Sequence, residues 1–300
     1  MRDIQEAPPW AQTAQAGPTL AVREGATFDQ LCDPDLLFLA WRRVRANKGK
    51  AGGDAETIEA FEEKLDDRLD VLRDGLLHGR YRPSRIRRAW IPKADGSKRW
   101  LAIPSVIDRV AQTAALLVLQ NDIDRRMSEG SWAYRSGRGV PQALAAVRRG
   151  LGNGLVWVVD ADIESYFDRV PHDRLMGELA IWIDDERLLH LFRLWLRSFS
   201  RWGVGIAQGS PISPLLANVY LHPVDRLMAA EGFQLIRYAD DFLVLARTKR
   251  RAEQGRRLVE RLLRSRRLRL NLVKTRIAAP GETLNFLGAE LTIPTLSNGD

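Results

Sequence analysis

The sequence has little sulfur, no long apolar run and no secretory leader of the usual kind. Its single cysteine, Cys32, excludes an internal disulfide framework and a cysteine-based zinc cluster, and it fits a reducing compartment. No apolar stretch approaches the roughly 20 residues that a membrane span requires. The N-terminal segment is rich in Ala, Gln, Pro and Gly, which predicts a poorly ordered tail over residues 1–27. We therefore expect a cytoplasmic protein without a membrane segment.

Acidic residues are outnumbered by basic ones, and the excess is concentrated in two segments. Lys and Arg total 46 against 38 Asp and Glu, a formal net charge of +8 over 300 residues. Residues 247–276 contain 13 basic residues and two glutamates, and residues 80–99 contain eight basic residues and Asp95. A solvated helix face and a charged hairpin are the alternative interpretations. Because Arg predominates in both segments, we favour contact with phosphate groups.

The periodicity of apolar residues predicts helices mixed with short strands. Helices are expected over residues 58–79, 108–127, 184–199, 214–230 and the basic segment after 247. Strands are expected over 155–163, 234–246 (two strands about a tight turn), 269–277 and 284–293, with a hairpin about Asp95-Gly96 and a turn at 150–154. Since the elements do not alternate regularly as β-α-β, the fold class predicted is α+β with a mainly antiparallel sheet.

Two groups of acidic residues lie at the ends of predicted strands. Asp240 and Asp241 interrupt an apolar segment, and Asp160, Asp162 and Glu164 alternate along an earlier strand. Alternation places the last three on one face, so periodicity leaves open which of them is functional. If the two strand ends are neighbours, their carboxylates would repel one another unless a cation balanced them, and Mg²⁺ suits such oxygen ligands. An exposed hairpin turn is the alternative for Asp240 and Asp241.

An ordered series of motifs resembles the reverse transcriptases, more narrowly those of the bacterial group II intron type. The resemblance extends from about Phe28 to Leu291. Its motifs are, in chain order, LAWRRVRANKGKAGGD, LLHGRYRPSRIRRAWIPKADGSKRWLAIPSVIDRVAQ, SWAYRSGRG, DADIESYFD, QGSPISPLLANVYL, YADD, LVKT and FLG. The resemblance implies a right-hand polymerase fold, with a tail at 1–27, fingers and an N-terminal helical region at 28–153, a palm at 154–296 and a C-terminal end at 297–300. The chain departs from the family's fold in one respect, since we expect no thumb.

The resemblance also implies the residues that bind metal ions and carry the chemistry. Asp162, Asp240 and Asp241 match the family's metal ligands, and the carbonyl of Ile163 matches an additional one. The ions implied are two Mg²⁺, with Mn²⁺ as an alternative. Lys274 in LVKT matches the proposed general acid for the pyrophosphate, and a salt-bridged lysine is the alternative interpretation.

Nucleotide-binding residues follow from the same resemblance. Lys93 and Arg99 match positions that close on the incoming triphosphate. Tyr166 occupies the place of the aromatic steric gate that selects dNTPs, although an ordinary core tyrosine is the alternative. Gln208 and Gly209 match a loop that contacts the nascent base pair. The chain departs from the family at Ala207, where proline usually precedes the Gln-Gly pair, and no motif lacks a ligand.

The function implied is RNA-templated addition of dNTPs to a primer 3′-hydroxyl, with an RNA template and a DNA or RNA primer as partners. The candidate settings are CRISPR spacer acquisition alongside an integrase, another bacterial defence system and a mobile element. A partner chain or domain that supplies a thumb is a further expectation. The alternatives are a nucleic-acid-binding scaffold with a polymerase fold and a template-independent terminal transferase.

Overall fold

A computed structural model describes residues 27–92 and 98–295. Lys93, the Asp95-Gly96 turn and residues 296–300 lie outside the described residues, as does nearly all of the predicted tail. The side chain of Arg99 lies outside them as well, although its backbone belongs to a described strand.

The described residues form helices and short antiparallel strands. The helices are α1 (Phe28–Leu31), α2 (Pro34–Ala46), α3 (Ile58–Glu62), α4 (Leu65–Leu77), α5 (Val106–Arg126), α6 (Val140–Gly152), α7 (Tyr166–Arg169), α8 (His172–Trp182), α9 (Glu186–Phe199), α10 (Ser213–Ala230) and α11 (Lys249–Ser265). The strands are β1 (Arg87–Pro92), β2 (Lys98–Ile103), β3 (Trp157–Asp162), β4 (Gln234–Tyr238), β5 (Asp241–Ala246), β6 (Arg276–Ala278), β7 (Thr283–Phe286) and β8 (Ala289–Thr292). All of these strands pair antiparallel, which confirms the predicted α+β class with a mainly antiparallel sheet.

Side-chain caps explain where several helices begin. The Asp33 carboxylate accepts backbone N–H groups at the start of α2, Asp185 does the same for α9, and the Thr248 hydroxyl does so for α11. Such a cap satisfies backbone donors that have no partner within the helix and stabilises it by about 1 kcal/mol.

The chain divides into two units, each built from separate segments. The hairpin unit comprises the described residues of 6–126 and 171–219, and the sheet unit comprises those of 127–170 and 220–300. These units differ from the predicted fingers (28–153) and palm (154–296), each of which is one continuous segment of the chain. The boundaries of the functional domains stay a prediction.

The hairpin unit contains the β1–β2 hairpin and a helical core around α5. Asp108 on α5 is almost fully buried, and it accepts hydrogen bonds from the Tyr81 hydroxyl (2.6 Å) and the Ser84 N–H (2.9 Å). The Trp195 indole N–H donates in turn to the Tyr81 hydroxyl at 3.0 Å. Burial raises the pKa of Asp108 above its ordinary value, because a charged carboxylate is poorly solvated there.

The sheet unit contains a four-stranded sheet in the order β4-β5-β3-β6 and a separate β7–β8 hairpin. Helices α6 and α11 pack on the sheet. The apolar residues of α6 join a core with the interior of β3, β4 and β5, and α11 buries Ala252, Val259 and Leu263. The central strands are buried on both faces, which accounts for their nearly continuous apolar sequence. In the described part of the chain, no helix has both the length and the apolar character needed to cross a membrane.

Four of the predicted elements are wrong in their bounds. The strand expected over 284–293 is two strands, β7 and β8, that pair about a turn at 287–288. The helix expected over 58–79 is divided into α3 and α4, since Asp66 and Asp67 lie in a first turn where acidic residues favour a new start. The turn expected at 150–154 begins later, because α6 continues to Gly152. Gly150 is instead needed within the helix, since a Cβ there would collide with Leu245 of β5. The strand expected over 269–277 is reduced to β6, and residues 272–274 form a turn.

Candidate active site

The two acidic segments meet at one end of the four-stranded sheet. In the antiparallel register of β3 and β5, Asp162 lies directly opposite Asp241. The next residue, Ile163, donates its backbone N–H to the carbonyl of Asp240 at 3.2 Å. The carboxylates of Asp162 and Asp241 therefore belong to neighbouring strands although 79 positions separate them.

The turn that carries Asp240 has a backbone conformation that is unfavourable for its sequence. It joins β4 to β5 through Ala239 and Asp240, and Ala239 has a φ of 58°. The left-handed region raises the energy of an alanine by roughly 1–2 kcal/mol. The turn must therefore be held by its surroundings, and Arg237 contributes by donating an Nη1–H to the Ala239 carbonyl at 3.0 Å.

Arg237 is itself fixed by a buried ion pair. Its Nε and Nη2 atoms donate to the two carboxylate oxygens of Asp225 on α10, at 2.8 Å and 2.6 Å, and Nη2 also donates to the Ser131 hydroxyl at 2.8 Å. Both charged side chains are at most 2% exposed. Although burial by itself would lower the pKa of Arg237, the adjacent Asp225 carboxylate raises it above its ordinary value. The acidic turn thus rests on a charge pair that is removed from water.

Asp162 is surrounded by polar groups from the turn that follows α11. The Lys274 Nζ lies 3.3 Å from Asp162 Oδ2, and the Asn271 side-chain amide donates to the same oxygen at 3.3 Å. The backbone N–H of Asn271 donates to the Asp162 carbonyl at 2.8 Å. Lys274, predicted as a general acid, is therefore brought beside a predicted metal ligand while its side chain stays half exposed.

The other two acidic residues of the first segment have different partners. Asp160 is buried, and its Oδ2 lies 3.6 Å from the Arg276 Nε on the adjacent strand β6. Glu164 lies beyond the end of β3 and forms an ion pair with Arg169 at 2.7 Å. Of the three alternating acids, Asp162 is the one that lies opposite the second acidic segment.

The basic segment predicted to contact phosphate lies on α11 and the turn after it. A groove of about 880 Å³ runs along this region. Its lining includes Glu164, Arg169, Glu260, Arg264, Arg267, Arg269 and Asn271. Four arginines against two glutamates keep the groove basic, and Asn271 places one end of it beside Asp162.

Comparison with known protein families identifies the family of this chain. The reverse transcriptases (RNA-dependent DNA polymerases) match residues 91–291, which include both acidic segments. The chain belongs to the reverse transcriptase family. It is thus one of the RNA-directed DNA polymerases, and the match includes Asp162, Asp240, Asp241 and Lys274.

Two relatives illustrate the type of reverse transcriptase. Protein YkfC of Escherichia coli strain K12 is 30% identical over 94% of this chain and 85% of its own length. The group II intron-encoded protein LtrA of Lactococcus lactis subsp. cremoris is 32% identical over 67% of this chain. The aligned part is only 35% of LtrA's own length, so the chain spans about a third of that relative. These likenesses confirm the predicted resemblance to the group II intron type.

Solved structures show the fold. Telomerase from Candida albicans, in complex with a TWJ fragment of telomeric RNA, matches with a TM-score of 0.58 at 12% identity, over 80% of this chain and 49% of that chain. A Cas6-RT-Cas1–Cas2 complex is 25% identical over 79% of this chain and 41% of that chain, with a TM-score of 0.48. That score is too low to support the predicted CRISPR setting, which stays a prediction.

Reverse transcriptases generally use divalent metal ions, and the donor set of this one fits such ions. Asp162, Asp240 and Asp241 supply the carboxylate oxygens that Mg²⁺ prefers. A cation is already accommodated beside Asp162, since the Lys274 ammonium lies 3.3 Å from its Oδ2. Within residues 27–92 and 98–295, no three Asp, Glu, His or Cys side chains lie close enough together to hold a metal. Convergence of three carboxylates on one ion therefore stays a prediction.

Tyr166 begins α7, four residues after Asp162. Its ring is 1% exposed and packs edge to face with Phe167, with the centroids 5.6 Å apart. Burial raises the pKa of its hydroxyl well above the ordinary value, since the phenolate would be poorly solvated there. This burial matches the core-tyrosine alternative, and the steric-gate role stays a prediction.

The remaining predicted site residues belong to the hairpin unit. The Gln208 carbonyl accepts the Ala102 N–H of β2 at 2.7 Å, which attaches the loop to that strand. Gly209 has a φ of 105°, and a Cβ there would lie 2.7 Å from the Ala102 carbonyl oxygen. Only glycine therefore fits this close approach of backbone to backbone. Arg99 lies on β2 opposite Ile91.

Sequence reasoning missed the residues that support the site from behind. Asn271 gave no signal, because its role depends on a partner 109 residues away. Arg237 and Asp225 did carry a signal, since a charged residue within an apolar strand or helix predicts a buried partner of opposite charge. That signal identifies the need for a partner without identifying which residue supplies it.

Proposed function

We propose that this reverse transcriptase adds dNTPs to the 3′-hydroxyl of a DNA or RNA primer opposite an RNA template. The observation that carries the proposal is the position of Asp162 directly opposite Asp241, with the Ile163 N–H bonded to the Asp240 carbonyl. The two acidic segments thus lie on neighbouring strands of a chain that belongs to the reverse transcriptase family, which supports the proposal.

The acidic residues would hold two divalent ions, Mg²⁺ or alternatively Mn²⁺. Asp162, Asp240 and Asp241 would supply side-chain oxygens, and Ile163 would supply its carbonyl. Bound ions would lower the pKa of the attacking hydroxyl and stabilise the pyrophosphate. The contribution of the chain is to fix these oxygens in place, and the bonds from Asn271 to Asp162 and from Arg237 to the Ala239 carbonyl support that role.

Lys274 would give a proton to the departing pyrophosphate. Its half-exposed ammonium lies beside Asp162, so it can exchange protons with water between turnovers. Departure of pyrophosphate leaves a negative charge on its bridging oxygen, and a proton placed there lowers the barrier by general acid catalysis.

The hairpin unit would bind the incoming nucleotide. Lys93 and Arg99, on either side of Asp95-Gly96 in the sequence, would contact the triphosphate, since Arg binds phosphate oxygens bidentately. Gln208 and Gly209 would contact the nascent base pair. Tyr166, which belongs to the sheet unit, would select against a ribose 2′-hydroxyl. The hydrogen bond from Ala102 to Gln208 supports a common function for the hairpin and this loop.

The biological setting proposed is a bacterial defence system or a mobile element, with CRISPR spacer acquisition as one candidate. The group II intron-encoded relative supports an origin among mobile elements. A right-hand arrangement of fingers and palm is part of the same proposal.

Primer extension tests the proposed function directly. A DNA primer annealed to RNA should be extended in Mg²⁺ with dNTPs, and EDTA or replacement of dNTPs by rNTPs should stop the extension. Asp240→Asn should abolish incorporation while leaving the circular dichroism spectrum intact. Asp70→Asn is a matched control, because Asp70 is an exposed residue of α4. Full incorporation by Asp240→Asn would refute the assignment, and incorporation without any template would indicate a terminal transferase.

A further inference from the structure

The β1–β2 hairpin places two tryptophans and two basic residues on one face. Side chains alternate between the two faces of a strand, and cross-strand partners share a face. Trp90 is the partner of Trp100, and Arg88 and Lys98 each lie two positions from one of these tryptophans. Arg88, Trp90, Lys98 and Trp100 therefore share what we name the tryptophan face.

The tryptophan face is opposite to the side of the hairpin that approaches the Gly209 loop. Leu101 belongs to the other face by the same alternation, together with its register partner Ala89. A Cβ built at Gly209 would lie 2.8 Å from the Leu101 side chain, so the Gly209 loop lies on the Leu101 side. The tryptophan face is thus turned away from that loop.

The two indoles stack on one another yet remain largely accessible. Their ring centroids are 3.2 Å apart with the planes 28° from parallel. Trp90 is 50% exposed and Trp100 is 46% exposed, and the Lys98 ammonium lies 5.7 Å from the Trp90 centroid. A cross-strand aromatic pair stabilises a hairpin, which explains the stacking. It does not explain why the pair stays open to solvent between basic side chains.

Exposed aromatic rings beside positive charges are the chemistry that binds single-stranded nucleic acid. Bases stack on the rings, and Arg or Lys neutralises the phosphates that connect them. The two strands and the residues leading to β1 carry no acidic residue across 80–92 and 98–104, while Arg85, Arg87 and Arg88 are exposed. A polyanion is therefore better matched to this surface than a neutral or basic protein segment.

We propose that the tryptophan face binds an unpaired nucleic acid strand, with bases stacked on Trp90 and Trp100 and phosphates bound by Arg88 and Lys98. This inference deepens the proposed function, because the strand would be template that has not yet been copied. A duplex presents no free base faces for stacking, so the surface discriminates in favour of unpaired template.

Equilibrium binding tests the proposal without polymerisation. The probe is a fluorescein-labelled single-stranded RNA of about 12 nucleotides, a length within the site sizes of proteins that bind single strands. Anisotropy is measured in EDTA and without dNTPs at several salt concentrations. The double variant Trp90→Ala, Trp100→Ala should weaken binding by roughly 5- to 150-fold per stacked base lost, with the salt dependence unchanged. Arg88→Gln should instead reduce the slope of log K against log salt by about 0.7.

Two matched variants separate stacking from folding. Trp100→Phe keeps an aromatic ring on the hairpin and should bind nearly as tightly as the wild type. Trp202→Ala removes a 76% exposed tryptophan elsewhere in the hairpin unit and should leave binding unchanged. Unchanged binding in the double alanine variant, or an equal loss in Trp202→Ala, would overturn the proposal. Unchanged binding would instead point to a protein partner at this surface.

The proposal and the assigned catalytic residues can fail separately. Asp240→Asn should bind the RNA probe as the wild type does, because the tryptophan face contains no catalytic carboxylate. If primer extension fails while binding still depends on Trp90 and Trp100, the proposed activity is wrong and the binding surface stands. If extension succeeds while the double variant binds normally, the binding surface alone is wrong.

Discussion

The buried pair between Asp225 and Arg237 offers a quantitative test of how the acidic turn is held. Both carboxylate oxygens of Asp225 accept N–H groups of Arg237, at 2.8 Å and 2.6 Å. An asparagine at position 225 has one oxygen and one NH₂ group. In one of the two contacts, its NH₂ group would therefore face an N–H donor of Arg237. The substitution also leaves the guanidinium charge buried without its counterion. Removing one partner of a buried ion pair destabilises a protein by about 3–5 kcal/mol.

The catalytic consequence is expected to be larger than that of an ordinary destabilising substitution. Arg237 donates to the Ala239 carbonyl, and Ala239 adopts a strained φ of 58° next to Asp240. If the pair relaxes, the turn loses the group that holds it, and Asp240 shifts relative to Asp162. A displacement of about 1 Å in a catalytic group lowers a rate by roughly 100-fold. We therefore expect kcat for incorporation to fall in Asp225→Asn under conditions where the protein stays folded, with little change in KM for the dNTP.

Urea unfolding and primer extension at saturating dNTP provide the two measurements. Asp29→Asn is the matched control, because Asp29 also binds an arginine bidentately, at 2.9 Å and 3.0 Å to Arg187, but both side chains are more than half exposed. An exposed pair contributes under about 1 kcal/mol, so this control should unfold and polymerise nearly as the wild type does. Arg237→Lys keeps the charge without the bidentate geometry and should fall between the two. Equal unfolding midpoints and equal kcat for Asp225→Asn and the wild type would refute the reasoning.

Three further predictions concern single residues. Lys274→Arg keeps a positive charge beside Asp162 but cannot release a proton. A general acid role therefore predicts that both Lys274→Arg and Lys274→Ala lower the single-turnover rate roughly 100-fold or more, whereas a charge-balancing role predicts that Lys274→Arg retains activity. Gly209→Ala should lower the melting temperature through a strain of about 1–3 kcal/mol, whereas Gly177→Ala, in an open helical position of α8, should not. Burial lowers the pKa of His172 below its ordinary value of 6.5. The stability that the neutral imidazole contributes is therefore complete above pH 6.5 and is lost as the pH falls through the lowered folded-state pKa. His172→Gln should flatten the pH dependence of the urea-unfolding free energy in that range.

The arrangement of the two acidic segments could be predicted because it depends on local pattern and on a family resemblance. Asp240 and Asp241 interrupt apolar residues that form β4 and β5, and the turn between them needs only two residues. The bounds of the turn at 272–274 could not be predicted in this way. Leu270, Leu272 and Val273 have the composition of a strand, but Leu272 and Val273 are exposed while Asn271 bonds to Asp162. A tertiary contact there overrides the local preference.

Strand periodicity predicts which acidic residues share a face, but not which of them is functional. Asp160, Asp162 and Glu164 have the same residue chemistry and the same parity, yet each is distinguished by a different cation. Arg276, 116 positions along the chain, lies beside Asp160, and Lys274, 112 positions along the chain, lies beside Asp162. Because the energy of a buried or half-buried carboxylate depends on the nearest opposite charge, the partner decides the function that each can perform. That partner is set by the register of β3 with β6 and by the turn before β6, neither of which has a periodic signal in the sequence.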